Sequence, residues 1–587
     1  MFQVSAALPD PAGNWLTAID GGVRVLFSGT LFEPEELAQR LGVSGRSLNA
    51  ASLVLIAYRE LASEWVHALR GHYAIVVDDR SHERVTAVRD AMGLHPLFVA
   101  SGASGLLFSP STDALLAQPG VSRALNRVAL AEHLLHRWSD PIETYFEAVQ
   151  RVPPGHVFES DARGRRFRRY WDPSTTGTLQ WLRDEEVERF GDVLTRAVTR
   201  CMQQGRAGIF LSGGFDSISI AAVAADEASK LGQPVPHALS LGFPDPACNE
   251  EPTQRGAAQA LGMPQDLLSF TEAVGERGLL LPAAEMAASW PVPMTNLWNP
   301  AYFPLARRGH AHGCRVILTG SGGDEWLTVS PYLSADLIRK GALADVLRFI
   351  GVIRRSYKVT TRQAVQSGLW TFGLRPVVAM LANRIVPAHF QARRTRKLVA
   401  STPSWIAPDP ALRRTIDERA PRVLSASEPH NGSFYEQEMR TAIEHPLNAI
   451  EAEEFFEMGR RVGVQMMHPY RDSDLVEMLY RTPPRFLMRG GRAKGLVRDT
   501  IARRFPTLGF ERQRKVHATD FYWRTMQTEG PAAWRSVGEA TTLAALGVVD
   551  PKLHAATMSE LFAGRQPHES YRIWNTLQLE VWARSRA

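Results

Sequence analysis

I-F-L-S-G-G-F-D-S, residues 209–217, is the stretch on which the reading of this chain turns. The run Gly208, Ile209, Phe210, Leu211 has the length and character of a buried parallel strand; Ser-Gly-Gly turns the chain at once, and residues 218–227 are helical in spacing. Strand, glycine turn and helix start make an anion cradle. The glycines let backbone N–H groups approach a phosphate, and the new helix points the positive end of its dipole at it. Ser212, Asp216 and Ser217 add hydroxyls and a carboxylate where a nucleotide and its metal would lie. A Gly-Gly turn alone would be no more than a connection.

Residues 316–325, V-I-L-T-G-S-G-G-D-E, repeat the pattern: three apolar residues, a glycine-rich turn, then Asp324 and Glu325. Taken alone, Asp324 would serve as a helix cap. Brought beside Asp216 at a second strand end, it completes a pair of hard oxygen ligands suited to Mg²⁺.

The surroundings supply a sheet for these turns. Residues 184–200 place Val187, Phe190, Leu194, Ala197 and Val198 on one helical stripe. Residues 236–243 read as a strand, Asn249-Glu250-Glu251 opens a helix, and 267–270 is a short third strand. Strands alternating with helices predict a doubly wound parallel sheet, with ligands at its carboxyl edge. The first 170 residues differ. Strand-like runs at 23–28, 73–77 and 85–88, with a helical 51–64, predict an α+β domain and a linker at 172–177. The last third reads as all-helical, with a helix over 474–480. In it, Lys494 and Arg498 stand four apart, a spacing that sets two cations on one helical face.

The totals narrow the class. At 587 residues, 44% hydrophobic and 22% charged, the chain has the composition of a globular protein of two or three domains. The most apolar part of the middle, 369–382, carries Arg375 and Pro376, so no membrane span is expected. Residues 1–5 do not begin a signal peptide, and Cys201, Cys248 and Cys314 match neither a disulfide framework nor a zinc site, so a cytoplasmic location is expected. From 339 to 397, thirteen Lys/Arg face one acidic residue, Asp345: a solvated face or a docking surface for a peptide or partner protein. Without a recognised binding module, nucleic acid is not expected.

Several motifs resemble the asparagine synthetase family. In the N-terminal part these are L-R-G-H-Y-A (69–74), A-V-R-D-A-M-G-L-H-P-L-F (87–98), V-P-P-G-H (152–156) and R-Y-W-D-P (169–173). S-G-G-F-D-S is similar to that family's pyrophosphatase-type ATP loop, and the resemblance extends over nearly the whole chain. It implies an α/β protein: an N-terminal α+β glutaminase-like (Ntn-type) domain over 1–176, and an ATP-pyrophosphatase domain over 177–587. The second domain would carry a basic helical insertion at about 331–450 and a largely helical end. It further implies ATP and Mg²⁺ as cofactors. Nucleotide contacts would fall on Leu211, Ser212, Gly213, Gly214, Asp216, Ser217, Leu241, Thr319 and Gly320, and metal ligation on Asp216 and Asp324. Lys494 would be catalytic, at the phosphates and the developing charge, with Arg498 as its support.

Two departures redirect the function. The family's glutaminases use a cysteine exposed as the first residue after Met removal, whereas position 2 is Phe2. Glutamine hydrolysis is therefore not expected. Where asparagine synthetases read S-G-E-G-S-D-E, this chain has Ser321 for the first glutamate. The resemblance is strongest to lasso-peptide cyclases, through T-G-S-G-G-D-E, H-P-Y-R-D (468–472) and the long basic segment ending in P-S-W-I-A-P (403–408). The expected reaction is adenylation of an Asp or Glu side chain of a linear core peptide, then attack by the peptide's own N-terminal amine. A leader peptidase and a leader-binding protein would be partners. An ammonia-dependent asparagine synthetase, a β-lactam-type synthetase and a non-catalytic binding protein are the alternatives. Glu325 and Asp472 are both candidates for the base.

Overall fold

The structure is a computed structural model that describes residues 15–45, 47–174, 179–425, 429 and 432–587. The expectations on Phe2 and on linker residues 175–177 lie outside the described residues. The N-terminal strands are β1 (Leu16–Asp20), β2 (Val23–Leu31), β3 (Gly71–Asp79), β4 (Arg84–Arg89), β5 (Phe98–Gly102), β6 (Gly105–Ser109), β7 (Val149–Arg151), β8 (His156–Asp161) and β9 (Gly164–Arg169). They form a sheet ordered β1-β2-β3-β4-β8-β9 and a smaller one ordered β6-β5-β7. Strand β3 is buried on both faces. Tyr73, Ile75 and Val77 join the core that includes the helix Ala50–Glu60, while Ala74 and Val76 join Leu97 and, from the smaller sheet, Val99 and Phe108.

The second region holds β10 (Ala207–Phe210), β11 (His237–Gly242), β12 (Gln265–Ser269), β13 (Val316–Leu318) and β14 (Gln465–Met467). All pair in parallel, in the order β12-β11-β10-β13-β14. Alternation fills both faces. Ile209, Val316 and Leu318 enter one core, and Leu239, Leu241 and Ile317 the other. The order reverses between β10 and β13, and at such a switch point two loops splay apart and leave a crevice. The two glycine turns leave these two strands.

Three expectations need correction. The last third is not all-helical: Gln465–Met467 is the fifth parallel strand, three residues too short to show a period and recognisable only by its pairing with β13. The helix expected over 184–200 is two, Asp184–Val187 and Phe190–Met202, separated by Glu188 and Arg189. Phe270 is not in the third strand but begins a helix capped by Ser269, whose hydroxyl accepts from the Glu272 N–H.

The regions are stitched together in part by two residues that carried the N-terminal resemblance, Arg89 and Trp171. Arg89 and Arg151 both reach Glu453 on the helix Pro446–Val462, with Arg89 Nη1 at 3.1 Å and Arg151 Nε at 2.7 Å from Oε1. Trp171 Nε1 donates to Glu477 at 2.7 Å. The basic segment folds as helices that include Leu343–Ser356, Arg375–Ile385 and Pro387–Ala400. Leu347, Trp370, Val378 and Ile385 are 56–78% exposed there, an apolar display alongside the positive charge.

Candidate active site

The carboxyl ends of β10 and β13 set the site. After β10, Ser212 to Gly214 turn the chain into the helix Phe215–Lys230, and Ser217 Oγ closes the turn by accepting from the Ser212 N–H at 3.1 Å. After β13, Thr319 accepts from the Ser321 N–H at 3.2 Å and its hydroxyl lies 2.7 Å from His468 Nδ1, which ties this turn to the chain after β14. The two turns approach closely because of glycine. A Cβ on Gly320 would lie 3.0 Å from the Ser217 nitrogen, and one on Gly323 would lie 2.3 Å from Asp216 Cγ.

Between the turns, Lys494 Nζ lies 2.5 Å from Asp216 Oδ2 and 2.9 Å from Asp324 Oδ1. Lys515 reaches the other Asp324 oxygen at 2.8 Å. These side chains, with Ser212, Gly214 and Glu250, line a cavity of about 170 Å³. Burial raises the Asp324 carboxyl, but Lys494 and Lys515 outweigh it and hold the group at about 2. At Asp216 burial wins and the carboxyl is raised despite Lys494. At Lys494 burial opposes the charge, but the two aspartates overcome it and the ammonium is raised.

The residues fit a magnesium nucleotide. The Lys494 ammonium bridges two carboxylates where a divalent cation would, and Asp216 Oδ1 is buried with no hydrogen-bond partner among the described residues. The Gly213 N–H is taken by the Glu250 carboxylate at 3.2 Å, an anion in the cradle that the glycine turn offers to a phosphate.

Of the expected site residues, Ser212, Gly214, Asp216, Asp324, Lys494 and Arg498 line this cavity. Gly213, Ser217, Thr319 and Gly320 build the turns beneath it. Leu211 and Leu241 are buried on opposite faces of the sheet. The helical-face reading of Lys494 and Arg498 is overturned. Lys494 is left-handed, at φ 63°, and precedes the helix Gly495–Arg504, so it is the bend that aims its side chain at the aspartates. Arg498 turns inward instead. Its Nε donates to the Ala493 carbonyl at 3.0 Å, its Nη1 to that of Phe510 at 2.9 Å, and its guanidinium lies 4.2 Å from the Phe215 ring centre. These contacts brace the chain on both sides of the helix that Lys494 precedes. The residues missed from sequence are Glu250, read as a helix start, and Gln513 and Lys515, which lie in a polar run without period; Gln513 Nε2 donates to the Gly213 carbonyl at 2.8 Å. Asp472, a candidate base, is spent: it accepts from Arg200 at 2.8 Å and caps the helix Ser473–Tyr480.

The glycine at 323 has a measurable consequence. Gly323→Ala places a methyl inside contact distance of Asp216, so the two turns must part. Affinity for MgATP is expected to fall while the far-ultraviolet circular dichroism is unchanged, and any later AMP-forming activity to fall by about 10²-fold. Unaltered MgATP affinity in isothermal titration would contradict the packing described.

A larger cavity of about 610 Å³ lies between the two regions, lined by residues that include Ser28, His72, His95, Met467 and His468. Burial lowers His72 to about 4 and His95 to about 3, so both are neutral. Among the described residues no cysteine lines it.

Comparison with known proteins identifies the family of the chain. Residues 189–584 match the asparagine synthase family and residues 10–171 a glutamine amidotransferase domain. The chain is 27% identical over 43% of its length to an asparagine synthetase [glutamine-hydrolyzing] 3 of Bacillus subtilis (strain 168), covering 41% of that protein. It is 26% identical over 54% of its length to the amidase chyE of Penicillium rubens, covering 49% of that protein. In both matches it spans less than half of the relative's length. The family match covers more than half of the chain, and the chain belongs to the asparagine synthase family.

Proposed function

We propose that this member of the asparagine synthase family is an ATP-dependent amide ligase acting on a peptide. It activates an Asp or Glu side chain as an acyl-adenylate and closes a macrolactam with the peptide's own N-terminal amine. The observation that carries the activation step is the Lys494 ammonium held between Asp216 and Asp324 at the switch point. The glycine turn and the helix start bind phosphates, and Lys494 moves from the aspartates to the charge that builds on them as pyrophosphate leaves. Mg²⁺, held by Asp216 and Asp324, would neutralise phosphate charge. Arg498 keeps the Lys494 bend and the Gln513 strand of chain in register.

Two features favour a peptide over free aspartate. Residue 321 is a serine where asparagine synthetases carry a glutamate, and a cavity of about 490 Å³ opens at Ser321 and Glu325. Such a volume suits a ligand far larger than ammonia. In this reading the basic, apolar-exposed helices receive a leader-binding partner, a leader peptidase acts beforehand, and the reaction runs in the cytoplasm.

The test supplies MgATP with linear peptides carrying an internal Asp or Glu, and separately with aspartate plus ammonium. The expected result is AMP, pyrophosphate and a peptide lighter by one water in mass spectra. AMP formed only with aspartate and ammonium would make the chain an asparagine synthetase; AMP formed with neither would remove the ligase reading.

A further inference from the structure

The cavity beyond Ser321 is built from three parts of the chain. The end of the N-terminal helix Arg127–Leu135 supplies His136 and Trp138, the helix start at Asn299 and the loop before it supply Trp298 and Asn299, and the C-terminal helix Tyr571–Arg584 supplies Trp574. Phe455, Tyr522 and Tyr571 complete an aromatic wall. Three carboxylates line it, and two are committed. Glu454 accepts from Thr295 and from the Asn296 N–H, and Glu451 pairs with Arg471 at 3.1 Å. Glu325 is exposed and makes no ion pair or hydrogen bond among the described residues. It stands next to Asp324, on the turn that carries the activation site.

A second observation points to a ligand. Asn299 is 2% exposed, and its side-chain Nδ2 has no hydrogen-bond partner among the described residues. A buried amide donor without an acceptor costs stability unless something supplies one. A carbonyl oxygen would satisfy that donor, and an ammonium would pair with the Glu325 carboxylate.

We propose that this cavity receives the amino-terminal residue of a peptide, its ammonium at Glu325, a carbonyl at Asn299 and its side chain against the aromatic wall. The N-terminal region, through His136 and Trp138, thereby forms part of the amine site. The step balances. One ammonium proton leaves to solvent, the nitrogen forms a bond to the acyl carbon, and the bond from that carbon to the AMP oxygen breaks with its electron pair on AMP. The second nitrogen proton leaves to solvent. The proposal rests on the amide-ligase reading, but binding of the amine tests it separately.

The probe is the dipeptide amide Gly-Phe-NH2, titrated calorimetrically into the full chain, beside its N-acetyl analogue, ammonium chloride and L-aspartate. The dipeptide amide is expected to bind saturably at millimolar concentrations or below. Glu325→Gln and Asn299→Ala are each expected to weaken it by about tenfold or more. The N-acetyl analogue is expected to bind as weakly as the dipeptide amide binds Glu325→Gln, and that variant to weaken it no further. Asn299→Ala removes an unsatisfied donor, so its melting temperature is not expected to fall, which separates a ligand role from a structural one. Equal binding of the N-acetyl analogue, absence of binding, or displacement of the dipeptide amide by aspartate overturns the proposal. Binding that follows Glu325 and Asn299, without AMP formation from any peptide, overturns the ligase reading and leaves the amine site standing.

Discussion

Lys494→Ala is expected to slow AMP formation by ~10²–10³-fold, the loss seen when one preorganised donor is removed from a developing charge. The argument is geometric. Lys494 is the cation that touches both aspartates, and burial of its residue to 8% exposure keeps water from replacing it. Lys515 touches only Asp324, so it cannot take over the bridge. Lys494→Arg is expected to rescue little, because a planar fork does not fit between oxygens that a point charge meets at 2.5 and 2.9 Å. Quenched-flow measurement of AMP, with MgATP affinity measured alongside, checks this. A rate within about threefold of the parent would mean that Lys494 only neutralises the aspartates; a loss of that size is too small for a transition-state donor.

Glu453→Ala is expected to have the largest effect on stability, about 3–5 kcal/mol, the cost of leaving buried charge uncompensated. Glu453 is 4% exposed and meets two guanidinium groups that are 0% and 2% exposed. Arg89 also donates to the Gly93 carbonyl at 2.6 Å, and Arg151 to that of Glu143 at 2.7 Å, so neither arginine can swing out to water without losing backbone partners. Because this cluster joins the N-terminal region to the helix Pro446–Val462, the loss should surface there first. Limited proteolysis is expected to release the N-terminal region, and denaturant unfolding to split into two transitions. A single transition at the parent midpoint would show the contact to be dispensable. Replacing all three residues by apolar ones is expected to recover much of the loss, since the desolvation cost disappears with the charges.

Local signals were legible where a single strand, turn and helix start lie together in the chain. Residues 209–217 and 316–325 each carry their own strand, glycine turn and carboxylate, so period and turn chemistry were enough. The role expected for Lys494 came from the family resemblance rather than from a local pattern, and no local pattern showed its left-handed conformation. The chain misled where meaning depends on distant partners. Gln465–Met467 is three residues long and is a strand only because β13 offers it a ladder. The four-residue spacing of Lys494 and Arg498 suggested a shared helical face, yet Lys494 lies ahead of the helix and Arg498 is held by carbonyls on a loop that follows it.

By itself, then, the sequence determined the parallel sheet, its two glycine turns and the pair of aspartates at their ends. Steric freedom at glycine, strand burial and hard-ligand chemistry are all properties of contiguous residues. Only the tertiary structure decided which cation stands between those aspartates, which carbonyls Arg498 braces, and that, among the described residues, the Asn299 Nδ2 and the Glu325 carboxylate lack partners in one aromatic cavity. These depend on side chains from the two ends of the chain meeting across the sheet, and no local pattern encodes a contact of that length.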